Sequence, residues 1–512
     1  MKRKNYESPT LLLMMCFCLC CSLLIGCEYQ AHCSDSTTTY HSNIQLRLEQ
    51  PITANLKGDV QHSFGLELKA DQLAVIRFER GDVGTDSEIN LRMEAVNPRG
   101  DIIEATNTGS GVSLMVLKTY TSGNFQVKVR GWDDQQDGSY VVHLDKLKDL
   151  PENQTDQMDL LLEHFYSTER PGGMVAIIDQ GKPVYKRAFG MANLDENLPF
   201  DLSASTEIAS VSKQFTAFAI ALLIADGKLT PSTSVRSIIP EFPDMGTPIT
   251  IHHLVHHLSG LQNYEAILRK EQMNHVASDA LTYDKIWEAI LSTTQTNFVP
   301  GTQHEYSNSG YVVLTKIIER TTSVPFPQWM HENIFVPLEM KDSYIWTIEG
   351  SDTNQFAASY AAPPNYVDKI NVPRKIYQQQ SKSLEALGAA HVHTTLDDLI
   401  KWSNNYRTGQ LGGQAVLDII KSGINDTPQP WDYLYGLKQY DHHGFRRQAH
   451  EGLTQGYRTL YARFPDIGVD FIYLTNDGEW RTYYLAEKII ELYLEDTLET
   501  THSAVEPIKN GP

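Results

Sequence analysis

The segment "ASVSKQFTA", residues 209–217, decides how the rest of the chain is interpreted. It places Ser210 three positions before Lys213, directly ahead of an apolar run. Residues three apart on a helix share one face, so a hydroxyl and an amine at this spacing can be neighbours. Serine is also a common N-cap and lysine a good helix former, so the same letters fit an ordinary helix start. The pair alone leaves both interpretations open.

The composition of the chain excludes one broad class of partner. The 512 residues are 41% hydrophobic and 21% charged, with a net charge of −20 and a pI of about 5.3. Such a chain is long enough for about two or three globular domains. Nucleic-acid binding depends on clustered lysine and arginine, so nucleic acid is not an expected partner.

The N-terminus is typical of an exported protein. A basic, polar start is followed by about sixteen mostly apolar residues, which is short for a membrane span. The segment 24–27, "LIGC", resembles a bacterial lipobox, which implies cleavage after a signal peptide (1–26) and lipid attachment to Cys27. Glu28 stands where an inner-membrane retention aspartate is common. The expectation is an exported lipoprotein of the outer membrane, facing the periplasm or the cell surface. An ordinary cleaved signal and an uncleaved anchor are the alternatives.

The cysteines restrict the chemistry of the remaining chain. All six lie at or before Cys33, so the sequence beyond it can form no disulfide, thiol nucleophile or cysteine-ligated zinc site.

A short tether (27–43) precedes a region rich in alternating apolar and polar residues. In residues 44–146 such runs recur about every ten residues between turn signals, which predicts a small all-β sandwich. Its closing strands resemble those of bacterial pre-peptidase-type accessory domains. Asp133, Asp134 and Asp137 could ligate calcium, but solvated loop acids are the preferred interpretation. A polar linker (147–157) follows.

The remaining pattern predicts an α+β domain over residues 158–495, followed by a tail (496–512). Two apolar strands flank Gln180-Gly181 as a hairpin, and the helix that begins near Ser210 stops at Gly227. Strand signals return from about residue 432. The expected fold is an antiparallel sheet assembled from distant segments and flanked by helices, with an inserted helical subdomain.

Further motifs decide between the two interpretations of Ser210 and Lys213. Residues 303–313 contain "HEYSNSGYVV", and residues 448–460 read "QAHEGLTQGYRTL". The order S-x-x-K, Y-x-N, H-x-G resembles the serine β-lactamase and penicillin-binding protein superfamily. The likeness is greatest to its peptidase S12-like branch of D-alanyl-D-alanine carboxypeptidases, D-aminopeptidases, esterases and class C β-lactamases. It includes "HHLSGLQNY" and "ALGAAHVHTTLDDLIKW", and it implies a β-lactamase-like fold.

The resemblance assigns catalytic roles. Ser210 is expected to be the nucleophile, with Lys213 and Tyr306 managing its proton. Which of the two is the base in acylation stays open. Asn308 is expected to hold a substrate carbonyl or amide and to orient the lysine.

The third motif is expected to line the substrate site. The resemblance implies that the backbone amides of Ser210 and Leu453 form the oxyanion hole, and that Gly452 lets a substrate lie along the strand edge. His450 stands where many β-lactamases carry the lysine of K-T-G. A histidine with a pKa near 6.5 is only partly charged at neutral pH, which argues against a dedicated β-lactamase.

The function expected from these residues is hydrolysis of a peptide or small-molecule ester or amide through an acyl-enzyme, by a D-stereospecific peptidase, carboxypeptidase or esterase. A class C-like β-lactamase and a catalytically silent, surface-tethered penicillin-binding-type protein are the alternatives. No cofactor is expected. His252/His256 and His253/His257 have zinc-like i, i+4 spacing, but without the glutamate of H-E-x-x-H no metal is expected. Because every motif follows the linker, residues 158–512 are expected to fold and act alone.

Overall fold

The computed structural model describes residues 39–80, 90–107, 114–133, 137–272, 281–349, 357–361, 374–380, 384–423, 431–479 and 481–504. The predicted signal peptide, Cys27 and Asp134 lie outside these residues. The described chain divides into two compact units. The sandwich unit comprises residues 39–165, 374–378 and 479–504, and the sheet–helix unit comprises residues 166–361 and 379–478.

The strands are named in chain order. They are β1 (Thr39–Gln45), β2 (Ile52–Leu56), β3 (Gln61–Leu68), β4 (Gln72–Arg80), β5 (Leu91–Val96), β6 (Ile102–Asn107), β7 (Leu114–Thr119), β8 (Gly123–Gly131), β9 (Gly138–Asp149), β10 (Gly173–Asp179), β11 (Lys182–Phe189), β12 (Met191–Asn193), β13 (Leu198–Pro199), β14 (Thr206–Glu207), β15 (Tyr344–Ile345), β16 (Tyr360–Ala361), β17 (Gln378–Gln379), β18 (Val392–Thr394), β19 (Asp432–Tyr433), β20 (Lys438–His442), β21 (Phe445–Leu453), β22 (Arg458–Phe464) and β23 (Val469–Thr475).

The α-helices are named in the same way. They are α1 (Gln154–Phe165), α2 (Lys213–Ala225), α3 (Val235–Ile238), α4 (Ile251–Val255), α5 (Tyr264–Gln272), α6 (Tyr283–Leu291), α7 (Asn308–Thr322), α8 (Phe326–Met330), α9 (Leu396–Thr408), α10 (Gly413–Ile420) and α11 (Arg481–Ala504). Among the helices of the described residues, none combines the length and hydropathy needed to span a bilayer.

The sandwich unit contains two sheets, as predicted for this region. One has the order β1-β3-β8-β5-β6 and the other β2-β9-β4-β7. The alternating strands bury one face each, and their apolar side chains form a separate core that includes Phe64, Phe78, Phe125 and Tyr140. The pairs are antiparallel except β1 with β3, which run parallel.

Two helices belong to the sandwich unit as well. The strand β9 ends at Asp149 and α1 begins at Gln154, so little of the predicted linker is free of secondary structure. Helix α11 packs on α1 and continues to Ala504, into the segment predicted as a tail. Both helices were expected to belong to the hydrolase domain rather than to the sandwich.

The sheet–helix unit is built on a seven-stranded antiparallel sheet with the order β11-β10-β23-β22-β21-β20-β19. Strand β10 pairs with β23 in the register Gly173↔Thr475, so distant segments of the chain share one sheet, as predicted. The hairpin β10–β11 turns through Gln180 and Gly181, whose φ values of 47° and 80° suit a type I′ turn.

Helix α2 is the central helix of this unit. Its sequence is apolar on every side, which is the pattern of a helix buried all round. Phe215 stacks on Trp402 of α9 with ring centroids 3.9 Å apart, and the Trp402 indole N–H donates to Gln214. Because α2 is fixed by this packing, the residues at its N-terminus occupy defined positions. In the sequence, helices α2 to α8 fall between β14 and β18. These two short strands pair with each other, so the helical region is an insertion between paired strands.

Candidate active site

Ser210 lies in a tight turn between β14 and α2. Residues Ala209–Ser212 form one turn of 3-10 helix, and Ala209 has the left-handed φ of 47°. A non-glycine residue in this region is strained, and such strain occurs at functional sites. Neighbouring Ser212 is fully buried and its Oγ accepts from the Val392 N–H, whereas Ser210 is half-buried. The turn therefore presents Ser210 while its flanking residues anchor it.

Lys213 is the first residue of α2 and is fully buried. Its Nζ lies 3.1 Å from Ser210 Oγ, 2.8 Å from Asn308 Oδ1 and 2.7 Å from the Ala389 carbonyl oxygen. The last two atoms can only accept, whereas a serine hydroxyl can donate or accept. A neutral amine could therefore keep two donated bonds and accept the Ser210 proton, and the geometry suits a general base.

The carbonyl of Ala389 is positioned by a glycine. Gly388 has a φ of 82°, and a Cβ on it would lie 2.9 Å from the Tyr311 carbonyl oxygen and 2.2 Å from Thr315 Cγ2. Thr216 on α2 donates to the Gly388 carbonyl. Only glycine allows this segment to approach α7 and α2 so closely, and the approach directs the next carbonyl at Lys213.

The Tyr306 ring and the Asn308 side chain both lie against Lys213. The Tyr306 ring centroid lies 4.8 Å from Lys213 Nζ. The ring packs on the buried His257, with centroids 4.3 Å apart. Asn308 opens α7, whose N-cap Ser307 accepts from the Gly310 N–H. The helix start thus fixes the backbone of the Y-x-N motif.

Residues that follow "HHLSGL" (256–261) hold the Y-x-N motif in place. Asn263 accepts from the Asn308 N–H at 2.6 Å and donates to the Tyr306 carbonyl at 3.1 Å. The Asn308 side-chain amide donates to Glu265 Oε1 at 2.8 Å. Asn263 and Glu265 were not among the predicted site residues. The feature of the sequence that could have identified them is their position shortly after residues 256–261.

His450, Gly452 and Leu453 lie at the C-terminal end of β21. A Cβ on Gly452 would lie 2.4 Å from the Ile208 carbonyl oxygen and 3.1 Å from Ala209 Cβ. The strand end therefore contacts the turn that carries Ser210. Leu453, the next residue, is 38% exposed at the rim of this contact.

The expectation that His450 is partly charged at neutral pH is wrong. The side chain is 2% exposed, and burial, with the Lys438 ammonium nearby, lowers its pKa to about 3. Its Nδ1 lies 2.7 Å from the Glu451 carbonyl, which fixes the proton on Nδ1, and its Nε2 accepts from the Tyr433 hydroxyl at 3.1 Å. His450 is therefore a neutral imidazole in a closed hydrogen-bond network.

Glu451 contributes no free charge to the site. It pairs with Lys438 at 3.0 Å. Burial alone would raise the pKa of Glu451, but the Lys438 ammonium outweighs this effect and the pKa falls to about 2.

Three of the four histidines considered as zinc ligands have other hydrogen-bond partners. His253 Nδ1 accepts from the Thr250 N–H in a capping box, and His256 Nδ1 donates to the Tyr433 carbonyl at 2.6 Å. His257 Nδ1 accepts from the Ser307 N–H. Across the described ranges, no three or more His, Cys, Asp and Glu side chains are grouped as a metal site.

Comparison with known proteins agrees with this fold. A family model described as "Beta-lactamase" matches residues 144–493. Penicillin-binding protein 4* of Bacillus subtilis is 26% identical over 342 residues, covering 65% of this chain and 74% of that protein. A D-aminopeptidase of Gluconobacter oxydans is 23% identical, covering 56% of this chain and 52% of that protein, so the match spans about half of the aminopeptidase.

A solved structure has the same fold over a similar part of the chain. The octameric penicillin-binding protein homologue from Pyrococcus abyssi aligns with a TM-score of 0.58 at 23% identity, covering 66% of this chain and 77% of that chain. The fold is that of the serine hydrolases of the β-lactamase and penicillin-binding protein superfamily, and the chain belongs to the beta-lactamase family.

Proposed function

We propose that the protein hydrolyses esters or amides of D-amino acids or D-peptides through a covalent acyl-enzyme on Ser210. The observation that carries the proposal is the contact of the buried Lys213 amine with Ser210 Oγ, while Asn308 and the Ala389 carbonyl hold the same amine. A helix-start lysine with no chemical role would extend its ammonium into water, because burying an amine is unfavourable.

The reaction follows from these contacts. Ser210 Oγ attacks the scissile carbonyl carbon while its proton passes to Lys213 or Tyr306, and backbone N–H groups at Ser210 and Leu453 stabilise the oxyanion. As the bond to the leaving nitrogen or oxygen breaks, that atom takes up the proton. Water then attacks the Ser210 ester, releases the acid and restores the serine hydroxyl.

The neutral charge of His450 supports substrates that have no carboxylate to be bound at this position. A buried neutral imidazole offers no permanent cation to the carboxylate of a β-lactam or of a C-terminal residue. The D-aminopeptidase relative supports D-amino-acid substrates, although the match covers only half of that protein. These features favour a peptidase, amidase or esterase over a class C-like β-lactamase.

We also propose that the protein is exported and anchored by a lipid on Cys27, with its catalytic unit facing the periplasm or the cell surface. The support is "LIGC" at the end of an apolar segment with a basic start. Cys27→Ser should release the protein from membranes. Membrane association unchanged by the substitution would contradict lipidation at this residue.

A substrate panel tests the proposed activity. Initial rates are measured for the wild type and Ser210→Ala on D-alanine p-nitroanilide, its L-enantiomer, p-nitrophenyl acetate and a chromogenic cephalosporin. We expect turnover of the ester and of the D-amide in preference to the L-amide and the cephalosporin, and none by the variant. A preference for the cephalosporin would instead identify a β-lactamase, and absence of any turnover would favour a silent binding protein.

A further inference from the structure

A carboxylate lies at the end of the hydrogen-bond chain that begins at the nucleophile. Ser210, Lys213, Asn308 and Glu265 are linked in that order by contacts of 3.1, 2.8 and 2.8 Å. Glu265 is half-buried near the start of α5. The resemblance that identified the other site residues assigned no role to this position.

Glu265 determines the orientation of the Asn308 amide. Lys213 needs an acceptor, which is Asn308 Oδ1, and the carboxylate needs a donor, which is Asn308 Nδ2. Lys213 and Glu265 therefore favour the same orientation of the Asn308 side-chain amide. One of the two Nδ2 hydrogens is used in this contact, which leaves the other available for a substrate carbonyl.

The partners that the described residues give the Glu265 side chain, Asn308 and Tyr264, are uncharged. Within the part of the chain that the structure describes, no cationic group forms an ion pair with its carboxylate. Arg269, one turn further along α5, donates its Nε–H to the Glu265 backbone carbonyl instead. The other nearby acid, Glu451, is paired with Lys438, and His450 is neutral. Unlike Glu451, Glu265 therefore has no paired cation among the described residues.

We propose that Glu265 is a specificity-determining residue that binds a protonated amino group of the substrate next to the scissile carbonyl, while its bond to Asn308 positions that amide for Lys213. An α-ammonium is two bonds from the carbonyl carbon, so it lies near the side chains that flank the nucleophile. A carboxylate there attracts such a substrate and repels one with a carboxylate in the same place. This inference rests on the proposed function and narrows its substrates to amino-acid amides and esters with a free amine.

The test compares two substrates that differ only in the amino group. The kcat/KM of D-alanine p-nitroanilide is divided by that of propionyl p-nitroanilide for the wild type, Glu265→Gln, Glu265→Asp and the exposed control Glu288→Gln. Glutamine keeps an acceptor for Asn308 Nδ2 but removes the charge. We expect Glu265→Gln to lower the ratio at least tenfold, Glu265→Asp to retain most of it, and Glu288→Gln to leave it unchanged.

The outcomes separate this inference from the proposed function. If both anilides are hydrolysed and the ratio is the same in the wild type and Glu265→Gln, Glu265 does not recognise the amine. If the wild type neither hydrolyses the anilides nor reacts with a fluorophosphonate at Ser210, the acyl-enzyme mechanism fails and this inference fails with it. Should Glu265→Gln fold poorly in thermal melts, the wild type alone decides. A wild-type ratio of one or below would show that the site does not favour the amine, which overturns the role of the charge.

Discussion

Gly452 lies so close to Ile208 that a methyl group on it would come within 2.4 Å of the Ile208 carbonyl oxygen. The Thr459 hydroxyl donates to the same oxygen at 2.9 Å. One backbone oxygen thus joins the end of β21, the neighbouring strand β22 and the segment leading into Ser210. This contact within the protein holds the end of β21 against the turn that carries Ser210.

Gly452→Ala is therefore expected to separate the strand end from the turn. The added Cβ would overlap Ile208 O and Thr459 Oγ1, and neither atom belongs to a flexible side-chain end. We expect kcat/KM to fall by about two orders of magnitude, because a displacement of about 1 Å in a catalytic site has effects of that size. Gly444→Ala is the control for strain without a clash: its φ of 84° disfavours alanine, but nothing lies within 4 Å of the added Cβ, and it should retain activity. Equal activity of the two variants would contradict the role of this contact.

Tyr306→Phe removes the phenol while leaving the ring that packs on His257. If the hydroxyl transfers protons, kcat should fall about 10²-fold or more, the usual effect of losing a positioned acid or base. The melting temperature should stay close to that of the wild type. Tyr166→Phe, which removes a buried hydroxyl paired with Tyr473, is the matched control and should keep kcat. A Tyr306→Phe enzyme with the wild-type kcat would remove Tyr306 from the mechanism.

The buried histidines predict how stability depends on pH. Burial lowers the pKa of His256 to about 3, whereas the unfolded chain has a histidine pKa near 6.5. Between these values the unfolded state binds more protons, so stability is full above about pH 6.5 and is lost as the pH falls toward 3. Each such histidine contributes a slope of about 1.4 kcal/mol per pH unit.

His256→Gln keeps a side-chain donor for the Tyr433 carbonyl but cannot titrate. Its melting temperature should therefore fall less than that of the wild type between pH 7 and pH 5. The exposed His331→Gln serves as control and should follow the wild type. If His256→Gln loses as much stability on acidification as the wild type, His256 is not neutral in the folded protein.

Helix α11 changes the expectation that residues 158–512 fold alone. Within the sandwich unit, Lys488 is 8% exposed and pairs with Glu104 on β6, and the Val116 N–H donates to the Tyr484 hydroxyl at 2.8 Å. A chain that begins at residue 158 would lose these partners and expose the apolar face of α11. We now expect that truncation to be less soluble and less stable than the full chain.

Lys488→Met tests this contact without truncation. It leaves the Glu104 carboxylate buried without its cation, which should destabilise the sandwich unit by roughly 3–5 kcal/mol. Lys488→Met combined with Glu104→Leu should recover most of that loss, because an apolar pair needs no counter-charge. The comparison uses thermal melts of the two full-length variants. Equal melting temperatures for the single and the double variant would show that the pair does not hold the helix.

The sequence predicted those features that depend on neighbouring residues. The hairpin at Gln180-Gly181 follows from two residues that accept positive φ, and α2 follows from its apolar run and from Gly227 at its end. The sequence points to the motif residues Ser210 and Tyr306 because their residue types and order carry the chemistry.

The features that sequence could not predict depend on residues brought together by the fold. The neutral state of His450 results from its burial and from Tyr433 and Lys438, and nothing in "HEG" indicates them. The Ala389 carbonyl that holds Lys213 is a backbone atom and has no residue type to recognise. The amphipathic pattern of helix α11 predicts a buried face, but it does not indicate which of the two cores that face packs on.

Covalent labelling of Ser210 tests the central claim most directly. The full-length protein is incubated with a fluorophosphonate, its intact mass is measured, and the modified residue is located by peptide mass spectrometry. We predict one adduct per chain, located on Ser210, absent from Ser210→Ala and formed at least 100-fold more slowly by Lys213→Met, which keeps the length of the side chain without its amine. An unlabelled wild type, or an adduct that persists in Ser210→Ala, would contradict the assignment of Ser210 as the nucleophile.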